Sequence, residues 1–245
     1  MAKPFLILQL RPETEAADDE YAAFLRKGGL TADQTVRIRL DQEALPENLR
    51  LDDFAGVIVG GGPGCVSDAP DKKTEAEARI EQAVLSLMPE VTERDTPFLG
   101  CCYGIGILGK HLDGDVSKDA YSEPVGVSDC KITADGVNDP LLDGLPENFQ
   151  AFVGHKEALQ ALPEECVHLV SSPTCPFQMV RYGQNVYATQ FHPEADGDGF
   201  RTRIQIYKHR GYFPPEAAAE LTEMCAAADV HAPERILRNF VERYR

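Results

Sequence analysis

The sequence has little positive charge and no long apolar run, and both shortages exclude classes of protein. Lys and Arg total 24 against 40 Asp and Glu, which gives a formal net charge of −16 at pH 7. Such a surface repels phosphate backbones and anionic lipids, so we expect neither nucleic acid nor a membrane as a partner. No apolar stretch approaches the roughly 18–20 residues that span a bilayer, and the run at 5–8 is too short for a signal peptide. We therefore expect a soluble, cytoplasmic protein.

Cysteine pairs of the C-x-x-C type are also absent. The seven cysteines are an odd number, and Cys101 and Cys102 are adjacent. This spacing fits neither a disulfide framework nor a zinc ribbon. We expect free thiols in a reducing compartment, and neither a metal nor another cofactor.

The pattern along the chain predicts an α/β fold. A hydrophobic fraction of 43% in 245 residues is too high for disorder and sufficient for a sizeable core. Strand patterns at 5–10, 54–59 and 97–100, and a half-exposed strand pattern at 35–40, alternate with helical stretches. This order predicts a three-layer α/β/α fold with a mainly parallel central sheet. We expect one domain over residues 1–245.

Two further regions complete the expected fold. Apolar residues from Ile80 to Val91 follow helical spacing, with a capping box at Thr74 and Glu77, and Pro89 is expected to kink this helix or end it early. Short β-rich segments joined by hairpin turns follow at 124–131, 147–153, 167–171, 177–182 and 185–191. The chain after Pro214 returns to helix, with Ile236 and Phe240 facing inward.

Two motifs overlap after the strand at 97–100. Residues 104–109 match G-x-G-x-x-G, but Cys-Cys-Tyr separates the strand from the first glycine and no acidic residue ends a following strand, so a dinucleotide site is disfavoured. Residues 100–104, Gly-Cys-Cys-Tyr-Gly, have the form G-x-C-x-G. Small neighbours suit a nucleophile on a tight strand-to-helix turn, and a helix N-terminus lowers a thiol pKa. Cys102 fits this role, whereas Cys101 fits a buried strand position.

A cysteine nucleophile needs a base, and His192 is the best candidate. It follows a strand in Gln-Phe-His-Pro-Glu, residues 190–194, and Glu194 lies two residues further on, able to orient the imidazole. Alone, this segment also fits a surface turn. Together with G-x-C-x-G, it predicts cysteine-dependent catalysis.

These segments resemble the class I glutamine amidotransferases, whose catalytic triad is Cys-His-Glu. The signatures occur in the family's order: Gly-Gly-Gly-Pro-Gly at 60–64, Gly-Cys-Cys-Tyr-Gly at 100–104 and Gln-Phe-His-Pro-Glu at 190–194. Segments 171–176, 181–183 and 207–212 resemble a stand-alone branch related to the glutaminase domain of GMP synthase. The resemblance implies a flavodoxin-like fold and covers nearly the whole chain.

The resemblance also implies a role for each matching residue. Cys102 would attack the side-chain amide of glutamine, His192 would pass the proton to the leaving ammonia, and Glu194 would hold His192. Backbone N–H groups at Gly61, Gly62 and Tyr103 would contact the substrate and form the oxyanion hole, although the glycines also fit a simple turn. No Lys-Ser/Thr follows these glycines, so they are not a phosphate-binding P-loop.

Three positions leave alternatives open. The family commonly continues Gly-His-Gln after the nucleophile, whereas this chain has Gly104, Ile105 and Gly106. The missing glutamine implies a widened pocket, a different γ-glutamyl substrate or weakened turnover. His155 partly matches a His-Gly-Asp segment of the stand-alone branch and fits a substrate pocket and an ordinary loop equally well. Residues 196 and 198 are acidic but lack the later ligands of a calcium loop, so a solvated turn is expected.

Three functions remain in order of preference. The first is a glutaminase that hydrolyses glutamine through a cysteine thioester and supplies ammonia. The chain has no room for a synthetase module, so a synthetase partner would use the ammonia, or the ammonia would be released. The second is a γ-glutamyl hydrolase that acts on another γ-glutamyl amide, and the third is a non-catalytic regulator with the same fold.

Overall fold

Buried apolar strands and one partly exposed edge strand form the parallel half of the main sheet. The structure, a computed structural model, describes residues 2–209 and 213–245. From the edge inward, the parallel strands are β2 (Thr35–Arg39), β1 (Phe5–Gln9), β3 (Gly56–Val59), β4 (Phe98–Cys101) and β11 (Val186–Thr189). β1 pairs on both sides, with Phe5 opposite both Thr35 and Gly56, and all of its residues are buried. A continuous apolar run is what such a doubly covered strand requires.

The β-rich second half of the chain extends the same sheet with antiparallel strands. Beyond β11 they are β10 (Met179–Tyr182), β9 (Cys166–Ser171), β6 (Glu123–Ile132) and β7 (Asn148–His155). The predicted hairpin turn is confirmed, because Tyr182 pairs with Val186 across it. Two short strands that the sequence does not indicate, β5 (Val116–Ser117) and β8 (Ala158–Leu159), form a small separate sheet.

Helices cover both faces of the main sheet. They are α1 (Thr14–Gly28), α2 (Glu75–Glu93), α3 (Tyr103–His111), α4 (Gly197–Tyr207), α5 (Ala218–Ala227) and α6 (Pro233–Tyr244). Successive residues of β1 point to opposite faces: Phe5 and Ile7 join the core under α1 and α6, whereas Leu6 and Leu8 join the core under α2 and α3. The predicted three-layer α/β/α fold is therefore confirmed.

The end of α2 corrects one prediction. Its start is as expected, because Thr74 N–H donates to Glu77 Oε2 at 2.8 Å and Glu77 N–H donates to Thr74 Oγ1 at 3.2 Å. Pro89, however, does not end the helix, which continues to Glu93. Proline removes one backbone donor, but Pro89 lies on the exposed side of α2, where water can hydrate the carbonyl that loses its partner.

The acidic segment at 196–198 is the start of α4 rather than a solvated turn. The Asp196 carboxylate accepts from Gly199 N–H at 3.0 Å and from Arg26 Nη2 at 2.8 Å, so it caps the helix and ties it to α1. Of the flanking segment 207–212, Tyr207 ends α4 and residues 210–212 lie outside the described residues. In the described part of the chain, no helix combines the length and apolarity needed to cross a bilayer.

Candidate active site

Cys102 lies on a strained residue between β4 and α3. Its φ of 57° and ψ of −86° are unusual for a residue with a side chain and cost about 1–3 kcal/mol. The Cys102 N–H donates to the Thr189 carbonyl at 2.7 Å, which ties this turn to the end of β11. A Cβ on Gly100 would lie 2.8 Å from the Gly104 Cα, so the turn depends on glycine. The thiol consequently stands at the N-terminus of α3.

The two adjacent cysteines have different surroundings. Cys101 is fully buried in the core, which confirms the expected packing position. Cys102 is also buried, but it lines a cavity. Burial raises the pKa of the Cys102 thiol to about 12, and the nearby Arg11 opposes that rise. A thiol in this environment needs a base to become a nucleophile.

His192 is held by a buried carboxylate directly after β11. Its Nδ1–H donates to Glu194 Oε1 at 2.9 Å, and the same oxygen accepts from Arg203 Nη2 at 2.9 Å. This bond places the proton on Nδ1 and leaves Nε2 as the basic nitrogen. Burial lowers the pKa of His192, although Glu194 opposes the shift. Burial opposes ionisation of Glu194, but His192 and Arg203 hold its pKa well below the usual range.

Two small compartments meet at Cys102. One, of about 40 Å³, is lined by both Cys102 and His192, together with Arg11 and Gly62. The other, of about 30 Å³, also includes Cys102 and Gly62; its wall further contains Tyr103, Gly154, His155, Glu157 and Gln190. The fold therefore brings Cys102, His192, Gly62, Tyr103 and His155 to two adjoining compartments that share Cys102 and Gly62, with Glu194 bound to His192.

Gly61 shapes the site rather than lining it. Its N–H donates to Glu20 Oε1 at 3.2 Å. A Cβ at this position would lie 2.6 Å from Arg11 Nη2 and 2.6 Å from His192 Cε1. Glycine is therefore required because two polar side chains approach the backbone closely. Gly62 faces both compartments and is the better placed of the two glycines for an oxyanion contact.

His155 lies at the end of β7 and not in an ordinary loop. Its Nε2 is 2.8 Å from Glu123 Oε2, and its Nδ1–H donates to the Glu157 carbonyl at 2.9 Å. Both ring nitrogens are engaged within the protein, so His155 fixes the segment after β7. Burial alone would raise the pKa of Glu123, but hydrogen bonds from His155 and Thr174 lower it.

The space beside Gly106 is filled, so the missing glutamine does not leave a widened pocket. A Cβ on Gly106 would lie 3.1 Å from Glu157 Oε1 and 3.2 Å from Val66 Cγ2. The Glu157 carboxylate accepts from Val66 N–H at 2.7 Å and from Ser67 N–H at 2.9 Å. A fixed carboxylate thus lies beside residue 106, against the position where a side chain at that residue would begin.

Sequence reasoning missed the buried charges around His192. Glu20 and Arg203 lie on α1 and α4, which the sequence analysis does not identify as helices, and Arg11 follows β1. One signal was available, because Glu20 interrupts an otherwise apolar helical stripe between Ala17 and Phe24. Gln190 belongs to the Gln-Phe-His-Pro-Glu motif, and its buried Oε1, which has no hydrogen-bond partner among the described residues, makes it a further polar group on the cavity wall.

Two clusters place possible metal ligands within 4.8 Å of one another among the described residues. They are Glu123 with His155 and Cys175, and Glu20 with His192 and Glu194. Protein donors already occupy these carboxylates, such as Gln178 Nε2 on Glu123 at 2.6 Å and Arg11 Nε on Glu20 at 2.8 Å. We therefore assign no metal to either cluster.

Comparisons with known proteins show which family and fold the chain shares. The family model Glutamine amidotransferase class-I matches residues 18–205. The chain is 32% identical over 167 residues to GMP synthase (glutamine-hydrolyzing) from Elusimicrobium minutum, covering 64% of this chain and 30% of that protein. It is 32% identical over 152 residues to the protein of the same name from Aeropyrum pernix, covering 62% and 25%. The chain thus spans less than a third of the length of these relatives.

Solved structures share the fold across the whole chain. A glutamine amidotransferase from Thermotoga maritima superposes with a TM-score of 0.77 at 19% identity, covering 100% of this chain and 99% of that one. A glutamine amidotransferase from Methylobacillus flagellatus gives a TM-score of 0.73 at 19% identity, covering 100% and 94%. At this identity the likeness establishes the fold.

Proposed function

Because the chain belongs to the class I glutamine amidotransferase family, we propose that it hydrolyses the side-chain amide of glutamine to glutamate and ammonia. One observation carries this proposal: the strained Cys102 at the start of α3 shares a cavity with His192, whose Nδ1 is held 2.9 Å from Glu194. A nucleophile, a base and a group that orients the base are the parts that covalent amide hydrolysis requires.

The first half of the proposed reaction forms a thioester. His192 Nε2 takes the proton from Cys102 as Sγ bonds to the amide carbon. Backbone N–H groups of Gly62 and Tyr103 stabilise the resulting oxyanion, and each such donor is typically worth about 3–4 kcal/mol. Collapse of the tetrahedral intermediate breaks the C–N bond, and His192 gives its proton to the leaving ammonia.

The second half releases glutamate. A water molecule gives a proton to His192 Nε2 and attacks the thioester carbon, and the C–S bond then breaks. His192 returns the proton to the Cys102 sulfur, which restores the starting state. Throughout, the Glu194 carboxylate keeps the imidazole oriented and favours its protonated form, as the direction of its effect on the His192 pKa requires.

We further propose that the ammonia is passed to a synthetase partner. The relatives are GMP synthases of which this chain matches only the portion described above, and a further structural neighbour is PurLQS from Thermotoga maritima, at 15% identity and a TM-score of 0.63. We also propose a cytoplasmic location and a single domain. The seven cysteines are free thiols, which suits a cytoplasmic location. We propose that residues 1–245 act as one domain.

A second candidate, a γ-glutamyl hydrolase, is favoured by the surroundings of the cavity. A larger groove of about 460 Å³ adjoins the cavity, and the two share Gly62, Gly64 and Tyr103. Such a groove has room for an amine leaving group larger than ammonia. Glycine at position 106 instead of the family's glutamine, with the Glu157 carboxylate beside it, also permits a different substrate.

The test is to incubate the protein with glutamine and with a panel of γ-glutamyl amides, and to measure ammonia, free amine and glutamate. Ammonia from glutamine that is abolished by Cys102→Ala and retained by Cys166→Ala, a half-buried thiol outside the cavity, supports the proposal. Turnover of other γ-glutamyl amides alone selects the second candidate. If nothing turns over and a glutamine-like electrophile leaves Cys102 unlabelled, the chain is a non-catalytic member of the fold.

A further inference from the structure

Two carboxylate–arginine pairs flank the base of the site. Glu194 pairs with Arg203, and Glu20 pairs with Arg11 at 2.8 Å between Oε1 and Nε. One side-chain nitrogen or oxygen atom from each of Glu20, His192 and Glu194 lies within 4.8 Å of the other two. The proposed mechanism uses Glu194 of the first pair and neither residue of the second. The second pair is equally buried, so it is not an incidental contact at the protein surface.

Arg11 is held so that one end of its guanidinium faces the reacting groups. Nε donates to Glu20, and Nη1 donates to the Tyr207 hydroxyl at 3.2 Å. Within residues 2–209 and 213–245, Nη2 makes no hydrogen bond. A Cβ on Gly61 would lie 2.6 Å from this nitrogen and also 2.6 Å from His192 Cε1, so both atoms lie beside the same backbone position. Arg11 also lines the compartment that contains Cys102 and His192. The free end of a fixed cation therefore borders the nucleophile and its base.

Building on the proposed function, we propose that Arg11 is an electrostatic residue of this site, which stabilises negative charge on the Cys102 sulfur and keeps His192 neutral before the reaction. A buried cation acts strongly because few water molecules screen it. Arg11 needs no contact with the substrate to have this effect, because its charge acts on the thiolate and the imidazole directly.

The charges around Cys102 and His192 are consistent with this role. After burial, which raises the Cys102 pKa, Arg11 has the largest effect and lowers it, whereas Glu194, Cys65 and Glu157 raise it. For His192, burial lowers the pKa, Glu194 raises it, and both Arg203 and Arg11 lower it. Arg203 is bound to Glu194 and acts on the base, so Arg11 is the cation with the greater influence on the thiol.

The experiment follows the pH dependence of Cys102 alkylation by iodoacetamide, an uncharged reagent, with the modified residue identified by peptide fragmentation. This readout needs no substrate, so it is independent of whether glutamine is turned over. The test variant is the double substitution Arg11→Gln and Glu20→Gln, which removes both charges together and avoids a buried unpaired carboxylate. Arg181→Gln is the matched control, because Arg181 forms an ion pair with Asp139 at 2.9 Å and does not line the cavity.

The double variant is expected to move the alkylation profile upward by about one pH unit, which makes Cys102 about tenfold less reactive at any pH below the midpoint. Arg181→Gln is expected to leave the profile unchanged, and Arg11→Lys, which keeps the charge, to recover much of the reactivity. If glutamine or another γ-glutamyl amide is a substrate, kcat falls with little change in KM. An unchanged profile in the folded double variant, or a rise in KM alone, overturns the proposal.

If the double variant does not fold, Arg11→Lys alone tests the proposal. The lysine side chain is shorter and keeps its charge further from Cys102, so the proposal predicts a smaller upward shift of the alkylation profile. A purely structural ion pair predicts no shift. A shifted profile without any γ-glutamyl turnover upholds the role of Arg11 and rejects the proposed function. Turnover with an unshifted profile does the reverse.

Discussion

Glu194→Gln separates the charge of the triad carboxylate from its shape. Glu194 is 0% exposed, and Oε1 accepts both from His192 and from Arg203 at 2.9 Å. The amide oxygen of glutamine can still accept from Nδ1–H, but the negative charge that favours the imidazolium is gone. Since positioned acid–base groups contribute about 10²–10⁴-fold, we expect kcat/KM to fall by about 100-fold or more, or about 2.7 kcal/mol.

The same substitution predicts a shift with a definite sign. Burial lowers the His192 pKa and Glu194 opposes that effect, so removing the charge lowers the pKa further. The acidic limb of the pH profile of kcat/KM therefore moves to lower pH. Stability falls as well, because Arg203 is left without its buried counter-charge, and breaking such a pair typically costs about 3–5 kcal/mol.

Asp139→Asn controls for stability loss alone. Asp139 is buried and pairs with Arg181 at 2.9 Å, away from the cavity. Urea unfolding gives the unfolding free energy of each variant. The kinetics of glutamine hydrolysis are then compared at equal concentrations of folded protein. We expect Asp139→Asn to lose stability and keep its kcat/KM. Wild-type kcat/KM in Glu194→Gln, or an equal loss in Asp139→Asn, would refute the assignment of Glu194.

Three further predictions follow from close contacts and buried charge. Gly61→Ala should lower both the unfolding free energy and activity, because its Cβ would meet two polar side chains at 2.6 Å, whereas Gly126→Ala, whose nearest contact would be 3.5 Å, should change neither. Gly106→Gln should raise KM or lower stability, since the space beside residue 106 is already filled; a lower KM would show that this space can open. The pKa of Glu123 is lower in the folded protein than in the unfolded chain, so its stabilisation is complete above about pH 4.3 and is lost as pH falls through the folded value. The difference in unfolding free energy between wild type and Glu123→Gln should therefore shrink in acid, and a pH-independent difference would count against the ionised Glu123.

The parts of the fold that apolar periodicity encodes could be predicted from the sequence. Strand β1 and helix α2 are specified by local patterns, and the turn at Cys102 by its glycines. Helix α1 was missed because its buried face consists largely of alanine and one glutamate, which weakens the apolar signal. The expectation that Pro89 ends α2 early is wrong, because the cost of a proline in a helix depends on its exposure, which sequence alone does not supply.

The candidate site also contains residues that local sequence patterns predict and residues that they do not. Cys102, His192 and Glu194 stand next to strand ends that the sequence reveals, so their convergence at one edge of the sheet was predictable. Arg11 and Glu157 approach the cavity only through tertiary packing, from the loops after β1 and β7. No local pattern marks such residues, because the reason for their position lies in residues distant along the chain.

We propose that Cys102 forms a γ-glutamyl thioester, and this intermediate can be trapped during turnover. Protein quenched in acid during incubation with glutamine is digested, and the peptide that contains Cys102 is examined by mass spectrometry. We expect one γ-glutamyl group on Cys102 that is absent from Cys102→Ala and disappears on incubation in neutral water. Ammonia released equally by wild type and Cys102→Ala, with no adduct on Cys102, would contradict it.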